Sequence, residues 1–486
     1  MPRIYIDGHP IDAEAGQTVM QAAVAHGIEI PAFCWHPKLS VSGSCRVCAV
    51  QVEGRSWVEI SCNMPVAEDL KVLTDTDLVR AYRKSILELT TLNHPVDCGI
   101  CDKSGECTLQ DYHYEHNGAP SNSREVKVHA TKFHELSGRI TLDNERCILC
   151  SRCVRFTHEV SKSKSLGIVH RGDSSLVRAS EDGAFERDAY SDNVVDICPV
   201  GALLSRSFLY KSRVWYLQAT PSVCPRCSRG CNVSLWHRKP EWALRVLDPR
   251  KNVAIERVTP RDNPAVNGPW MCNVGRDLAR VFERERALEA MRGGVPVTTA
   301  AAVEAARQRI AQARHPVALV SNGGSNEELA AFRAALGDRF DVRVKCDRAP
   351  LPGEVVEDDF LIRADKNPNT AGARALFPRL DDPAAPLPAE TDLLLVWGEG
   401  FDPSRRPSGA RVIALDGWSR PEHAEADVFI PLSIQTERRG TYTNFEGVAS
   451  PFEACFPKPE AALHAETLFA ALAVRATVIP AKAGTA

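Results

Sequence analysis

The sequence predicts a multidomain chain, α+β over roughly its first 280 residues and α/β beyond them. Three observations carry that reading. At 486 residues the chain is too long for one ordinary core, since domains run to roughly 100–200 residues. Fifteen of its seventeen cysteines fall in the first 272 residues, in CxxC-type runs. After Arg276 the composition changes, and Ala-rich helical stretches alternate with short apolar runs, the pattern of an open α/β layer structure.

The elements follow in order. Arg3-Ile-Tyr-Ile-Asp7 alternates as a strand that Gly8-His9-Pro10 breaks, and Thr18-Val-Met-Gln21 is a capping box opening a short helix ended by Gly27. Cys48 to Glu53, Trp57 to Ile60 and Leu70 to Leu73 read as further strands, so the first 75 or so residues form a small mixed sheet with one packed helix. Residues 77–92 read as a helix leading to His94-Pro95. From about 93 to 275 polar, cysteine-bearing loops dominate, and such segments depend on bound metal for their fold. Helices are expected over Val303–Ala313 and Glu327–Leu336, and strands over Val317–Val320, Leu393–Trp397, Val412–Leu415 and Val428–Ile430. The Pro- and Asp-rich stretch 349–390 is expected to be loop, and the tail after Arg475 to fray.

Composition excludes several classes. With 44% hydrophobic and 25% charged residues the chain reads as globular. A net charge of -3 gives no electrostatic reason to expect nucleic acid or an anionic membrane surface as partner. No run of ~20 apolar residues is present, so membrane association is expected only through partner subunits. Met1-Pro-Arg-Ile-Tyr-Ile-Asp7 has neither an apolar signal core nor an Arg/Ser-rich transit helix, so the chain is expected to stay in the cytoplasm. An odd number of cysteines bunched as CxxC runs argues against a disulfide framework and for metal.

Sixteen side chains fall into four sets spaced as iron-sulfur ligands: Cys34, Cys45, Cys48, Cys62; His94, Cys98, Cys101, Cys107; Cys147, Cys150, Cys153, Cys198; and Cys224, Cys227, Cys231, Cys272. Cys346 and Cys455 are left over. Zinc also takes four Cys or Cys/His ligands, so a lone CxxC pair could not exclude it. In the first set, the small residues of Ser42-Gly43-Ser44-Cys45-Arg46-Val47-Cys48 let backbone N–H groups approach the sulfurs. The second set has only three cysteines, and His94 supplies the fourth ligand. A neutral imidazole in place of a thiolate is expected to raise the reduction potential. The third begins Cys147-Ile-Leu-Cys150-Ser-Arg-Cys153, then breaks at Thr157. Its missing ligand returns in Cys198-Pro199, so it is expected to hold one [4Fe-4S] cluster. The fourth leaves zinc open as an alternative.

These motifs also carry resemblances. The first set, a tight CxxC with one distant cysteine on each side, resembles the [2Fe-2S] ferredoxin-like (β-grasp) domain at the front of NADH dehydrogenase and hydrogenase subunits. CxxCxxxC with remote Cys272 resembles the [4Fe-4S] module of molybdopterin-dependent formate dehydrogenases and nitrate reductases, with Glu241 to Thr259 as an insertion in its forty-residue last gap. All four sets in this order resemble the large iron-sulfur subunit of respiratory complex I, over residues 1 to about 290. Ala426-Asp-Val-Phe-Ile-Pro-Leu432 and Glu437-Arg-Arg-Gly-Thr-Tyr-Thr-Asn-Phe-Glu-Gly447 look like the end of the molybdopterin oxidoreductase fold, here truncated.

The resemblance implies five domains: 1–80, [2Fe-2S] ferredoxin-like; 81–137, a His/Cys [4Fe-4S] module; 138–217, a ferredoxin-like [4Fe-4S] module; 218–280, a four-cysteine [4Fe-4S] module of molybdopterin oxidoreductase type; and 281–486, a truncated molybdopterin oxidoreductase-like α/β region. It implies one [2Fe-2S] cluster, three [4Fe-4S] clusters and no molybdopterin. Cys346 is expected to be a buried thiol. Gly398-Glu-Gly400 lacks the third glycine of a dinucleotide fingerprint, and Asn322-Gly-Gly-Ser325 reads as a strand-to-helix turn capped by Ser325 and Glu328, so no hydride-transfer site is expected. The function implied is electron conduction from an NADH/FMN-binding subunit toward quinone-proximal iron-sulfur subunits, on the inner face of the bacterial membrane. The alternatives are the electron-transfer subunit of a soluble NAD-linked hydrogenase or formate dehydrogenase, and a zinc-stabilised interaction scaffold.

Overall fold

The computed structural model describes residues 1–243 and 252–473. The expected frayed tail after Arg475 lies outside them, as does part of the expected insertion Glu241 to Thr259. The chain divides into two compact units, Met1–Leu217 and the part from Gln218 onward.

In the first unit, β1 (Arg3–Ile6), β2 (His9–Asp12), β3 (Ala49–Val52), β4 (Val58–Ile60) and β5 (Lys71–Leu73) form one sheet in the order β2-β1-β5-β3-β4. Only β1 and β5 run parallel. Gly8, at φ +82°, turns the chain back on itself. Gly8-His9-Pro10 therefore opens a second strand, and Pro10 is tolerated because β2 lies at the sheet edge, where a missing N–H breaks no inner ladder. The helix Val19–Ala25 starts at the Thr18 capping box with Gln21 and lays Val19, Met20, Ala22 and Ala23 on a core of Ile4, Ile6, Val50 and Val72. The helix Asp77–Thr91, capped by Thr76, ends just before His94.

Beyond His94, strands appear where loops were expected. β6 (Phe133–Glu135) and β7 (Ile140–Asp143) pair with each other, and β10 (Leu203–Ser205) pairs with β7, giving the order β10-β7-β6. β8 (Leu166–Val169) and β9 (Leu176–Ala179) make a separate hairpin. Strands of three or four residues are too short to print a period-2 pattern.

In the second unit, β11 (Leu217–Val223), β12 (Asn232–Arg238) and β13 (Ile255–Pro260) make one sheet in that order, with β12 and β13 antiparallel, so the described end of the expected insertion is a strand paired to β12. Next come β14 (Ala290–Arg292), β15 (Val295–Val297), β16 (Pro316–Ser321), β17 (Asp341–Lys345), β18 (Leu393–Trp397), β19 (Arg411–Asp416) and β20 (Val428–Pro431). They form a seven-stranded sheet in the order β15-β14-β20-β19-β18-β16-β17. From β20 to β17 the strands are parallel, with β14 and β15 antiparallel at one edge. Leu393, Leu395 and Trp397 enter one core, together with the helices Thr299–Gln312, Asn326–Leu336 and Ala465–Leu472. Leu394 and Val396 enter the core on the opposite face. Burial on both faces is why these strands read as unbroken apolar runs. Ser325 and Glu328 do form a capping box after β16.

One element was missed and two expectations are corrected here. β17 was not foreseen, because Asp341-Val-Arg-Val-Lys345 alternates charge with valine as edge strands do. The helix Thr370–Leu376 interrupts the stretch 349–390 expected to be loop. Cys346 is exposed rather than buried, because it leaves the end of β17 in the turn beyond the last sheet pairing.

Phe332 is fully buried, with ring centroids 5.0 Å from Phe469, 6.0 Å from Phe377 and 6.2 Å from Trp397. Phe332→Ala is expected to cost this unit about 3–5 kcal/mol, read as a lower urea midpoint with an unchanged slope.

Candidate iron-sulfur sites

The first set is built by the β3–β4 pairing. Cys48 directly precedes β3 and Cys62 lies just past the end of β4, and the Ser61 N–H and hydroxyl both donate to the Cys48 carbonyl, at 3.0 and 2.9 Å. Cys45 sits on a loop in which Gly43 and Arg46 take positive φ, +64° and 62°, a strained winding that recurs at functional loops. The Cys45 thiol bonds to Cys34 and pulls that sulfur down to about 5, and the Cys62 thiol does the same for Cys48, to about 7. Cys34, Cys48 and Cys62 are buried.

In the second set, Cys101 and Cys107 are buried and Cys98 is exposed. Burial raises both buried thiols. Burial likewise pushes the His94 imidazole down to about 4, with Arg146, Lys127 and Lys132 adding to the effect. The ring is therefore neutral near pH 7, the form that ligates metal, and its Nδ1 is buried without a hydrogen-bond partner. Cys101 and His94 share one charged neighbour, Arg146, a buried guanidinium held by Asp97 at 2.9 Å and Asp143 at 3.1 Å.

The third set is gathered by the pairing of β10 with β7, in which Leu203 faces Leu142. That register brings Cys198, which precedes β10, against the Cys147–Cys153 loop, which follows β7. All four cysteines line one cavity. Leu149 and Ser151 both adopt left-handed backbone, and the N–H groups of Leu149, Arg152 and Val154 point at the sulfurs of Cys147, Cys150 and Cys153. Burial drives Cys147 up to about 12 and Cys150 to about 11.

The fourth set lies in the second unit. The Cys224 N–H donates to the Cys231 carbonyl at 2.8 Å across the β11–β12 turn, and Cys272 caps the helix Asn273–Arg276. All four sulfurs are buried, and burial pushes Cys272 up to about 11 and raises Cys224 and Cys231 as well. Cys224 and Cys231 share a core with Val233, Leu235, Ile255, Val258, Met271 and Leu278.

Among the described residues, no group of three or more His, Cys, Asp or Glu side chains is drawn tightly enough to hold a single metal ion. Within the first, third and fourth sets the sulfurs interact electrostatically, and in the second Cys101 interacts with Cys98 and Cys107. Thiols such as Cys147, Cys150, Cys224 and Cys272, raised by burial and faced by backbone N–H donors, fit a cationic core that would take them as thiolates.

Sequence reasoning missed the residues between the sets. The segment Pro199–Gly201, just past Cys198, packs on the second set: the Pro199 carbonyl accepts from Thr108 N–H at 3.0 Å and lies 3.9 Å from the Cys107 sulfur. A Cβ on Gly201 would stand 2.1 Å from the Cys101 sulfur. Arg152 and Arg155, just past Cys150, reach the backbone of the first set. The signals available in sequence were the glycine two residues beyond Pro199 and the two arginines flanking Cys153, and neither stands out without a contact to explain it.

Known proteins share these modules. Residues 2–77 match the model of a 2Fe-2S iron-sulfur cluster binding domain, 83–119 that of the NADH-ubiquinone oxidoreductase-G iron-sulfur binding region, and 137–204 that of the NADH-quinone oxidoreductase subunit 3 ferredoxin-like domain. The NADH-ubiquinone oxidoreductase 75 kDa subunit of Reclinomonas americana is 36% identical over 286 residues, 59% of this chain and 39% of that one. An NADH-quinone oxidoreductase subunit of Rhizobium meliloti is 36% identical over 341 residues, 68% of this chain and 38% of that one. Over these modules the chain is similar to the large iron-sulfur subunit of NADH-quinone oxidoreductase. It spans about two fifths of the length of the curated relatives it matches. A solved NAD+-reducing [NiFe]-hydrogenase in the H2-reduced state is 31% identical, with a TM-score of 0.39, over 44% of this chain and 91% of that one. Among the described residues no helix is long and apolar enough to cross a membrane.

Gly201→Ala is expected to push Cys101 off its position and cost the chain about four iron atoms, one [4Fe-4S] cluster. Gly275→Ala, whose Cβ would meet the flexible end of Met271 at 3.0 Å and the Cys224 sulfur at 3.4 Å, is expected to keep its iron. Colorimetric iron and sulfide assays on the two variants check the contrast.

Proposed function

We propose that this chain is an electron-conducting iron-sulfur subunit of an NADH-quinone oxidoreductase, taking electrons from an NADH/FMN-binding subunit and passing them toward quinone-proximal iron-sulfur subunits. The observation that carries the reading is the recurrence of four sulfur sets, each largely buried, three of them contiguous in one unit. The residues proposed as ligands are Cys34, Cys45, Cys48 and Cys62 for a [2Fe-2S] cluster, and His94 with Cys98, Cys101 and Cys107; Cys147, Cys150, Cys153 and Cys198; and Cys224, Cys227, Cys231 and Cys272 for three [4Fe-4S] clusters. We read the chain as the modules 1–80, 81–137, 138–217, 218–280 and 281–486, without a molybdopterin, and as peripheral to the inner face of a bacterial membrane through its partners.

Bound clusters supply one-electron oxidation and reduction. The polypeptide's own work is to hold them, since tunnelling weakens exponentially with distance and spacing must be fixed. Backbone contacts support the order Cys34 set, Cys147 set, His94 set. Arg155 joins the carbonyls of Cys34 and Cys150, and Pro199–Gly201 joins the Cys198 loop to Cys101 and Cys107. The Cys224 set, built into an apolar core of the other unit, is assigned a stabilising role.

Purified anaerobically, the full chain is expected to be brown with about 14 iron atoms, one [2Fe-2S] and three [4Fe-4S] clusters. A colourless protein holding only zinc would overturn the reading. Purification with native partners is expected to bring along NADH oxidation coupled to quinone. His94→Cys is expected to keep its iron and lower the potential of one cluster in an EPR redox titration, because a thiolate adds negative charge where the imidazole has none.

A further inference from the structure

The helix Arg152–Glu159 begins inside the third sulfur set and turns one face, residues 152, 155 and 159, toward the loop that carries Cys34. These positions lie three and four apart and share a side of the helix. Arg152 donates to the carbonyls of Ala32 at 3.2 Å and Trp35 at 2.6 Å with one nitrogen, and to that of Ile197, the neighbour of Cys198, at 3.2 Å with another. Arg155 donates to the carbonyls of Cys34 and Ser40, to that of Cys150 at 3.4 Å and to the Ser151 hydroxyl at 3.2 Å. Glu159 closes the face by accepting from the Ser40 N–H at 2.8 Å.

Two guanidinium groups thus stand between two sulfur sets, each bonded to backbone of both. Each donates to carbonyls rather than to an acidic partner, so its positive charge is not cancelled locally by these contacts. An electron arriving on either side adds negative charge, which a fixed cation nearby stabilises. The planar fork also locks the spacing, because one guanidinium makes several directed bonds at once where an ammonium cannot hold the same geometry.

We propose that Arg152 and Arg155 are positioning residues that fix the separation of the Cys34 and Cys147 sets and ease the reduction of both. The inference rests on the conductor reading. The transfer it serves balances simply: one electron leaves one set as one arrives at the other, the donor being oxidised and the acceptor reduced, with no bond made or broken.

The test uses the full chain, reconstituted and compared with Arg155→Met, Arg155→Lys and the distant surface control Arg80→Met. Two EPR quantities are read, the potential of the [2Fe-2S] signal and its relaxation enhancement by the neighbouring reduced cluster, which reports their separation. Arg155→Met is expected to lower the reduced-to-oxidised ratio at a fixed potential about tenfold, ~59 mV for one electron, and to weaken the enhancement. Arg155→Lys keeps the charge but not the fork, so its potential is expected to stay near the parent's while the enhancement still falls. Arg80→Met is expected to change neither. If Arg155→Met loses its clusters, the Lys variant decides: parent-like enhancement overturns the proposal, and a fall at parent-like potential supports it. Full iron with potential and enhancement both unmoved in Arg155→Met overturns the proposal alone. A parent chain without any cluster signal overturns the conductor reading as well.

Discussion

A thiolate survives in a low-dielectric interior only beside compensating positive charge, and much of the first 280 residues is arranged around that constraint. Cys147, Cys153, Cys224 and Cys231 are buried deeply enough that ionisation is strongly disfavoured in the polypeptide alone. Backbone N–H groups from Leu149, Arg152, Val154, Arg226 and Gly275 are aimed at the sulfurs, which favours the charged form but does not by itself outweigh burial. A cationic inorganic core would complete such sites, and its binding energy would become folding energy for loops with little apolar core of their own.

The secondary structure of the first unit is correspondingly economical. Strands of three or four residues bring the ends of cysteine loops together: β3 with β4 for Cys48 and Cys62, β7 with β10 for the Cys147 loop and Cys198. Between the sets the chain uses backbone rather than bulky side chains. Gly201 leaves room for the Cys101 sulfur, and the Pro199 carbonyl sits against Cys107. Short, rigid, repeated connections of this kind would suit the proposed electron conductor, because a small displacement changes a tunnelling rate steeply while leaving the fold intact.

The seven-stranded sheet obeys a different logic. It buries aliphatic residues on both faces under helices such as Asn326–Leu336 and Ala465–Leu472, and its described cores contain no cysteine. Its stability is therefore expected to be independent of iron, in contrast to the cysteine modules. The exposed Cys346 at the end of β17 belongs to none of the four spaced sets.

The candidate ligand residues were singled out by spacing alone, because a loop that wraps a cluster must place its donors a few residues apart. The Thr18 and Ser325 capping boxes and the runs Leu393–Trp397 and Val428–Ile430 were equally plain, since capping and two-sided burial act over neighbouring residues. β17 was hidden by its charges, β2 by its proline, and β6 to β10 by their brevity. What the residue order determined was the chemistry each loop can hold. What only tertiary structure decided was which loops are neighbours: that Arg155 meets Cys34 across 121 positions, and Pro199 meets Cys107 across 92. Such adjacency comes from strand register and helix docking, which depend on the whole fold at once and leave no mark on any short stretch of sequence.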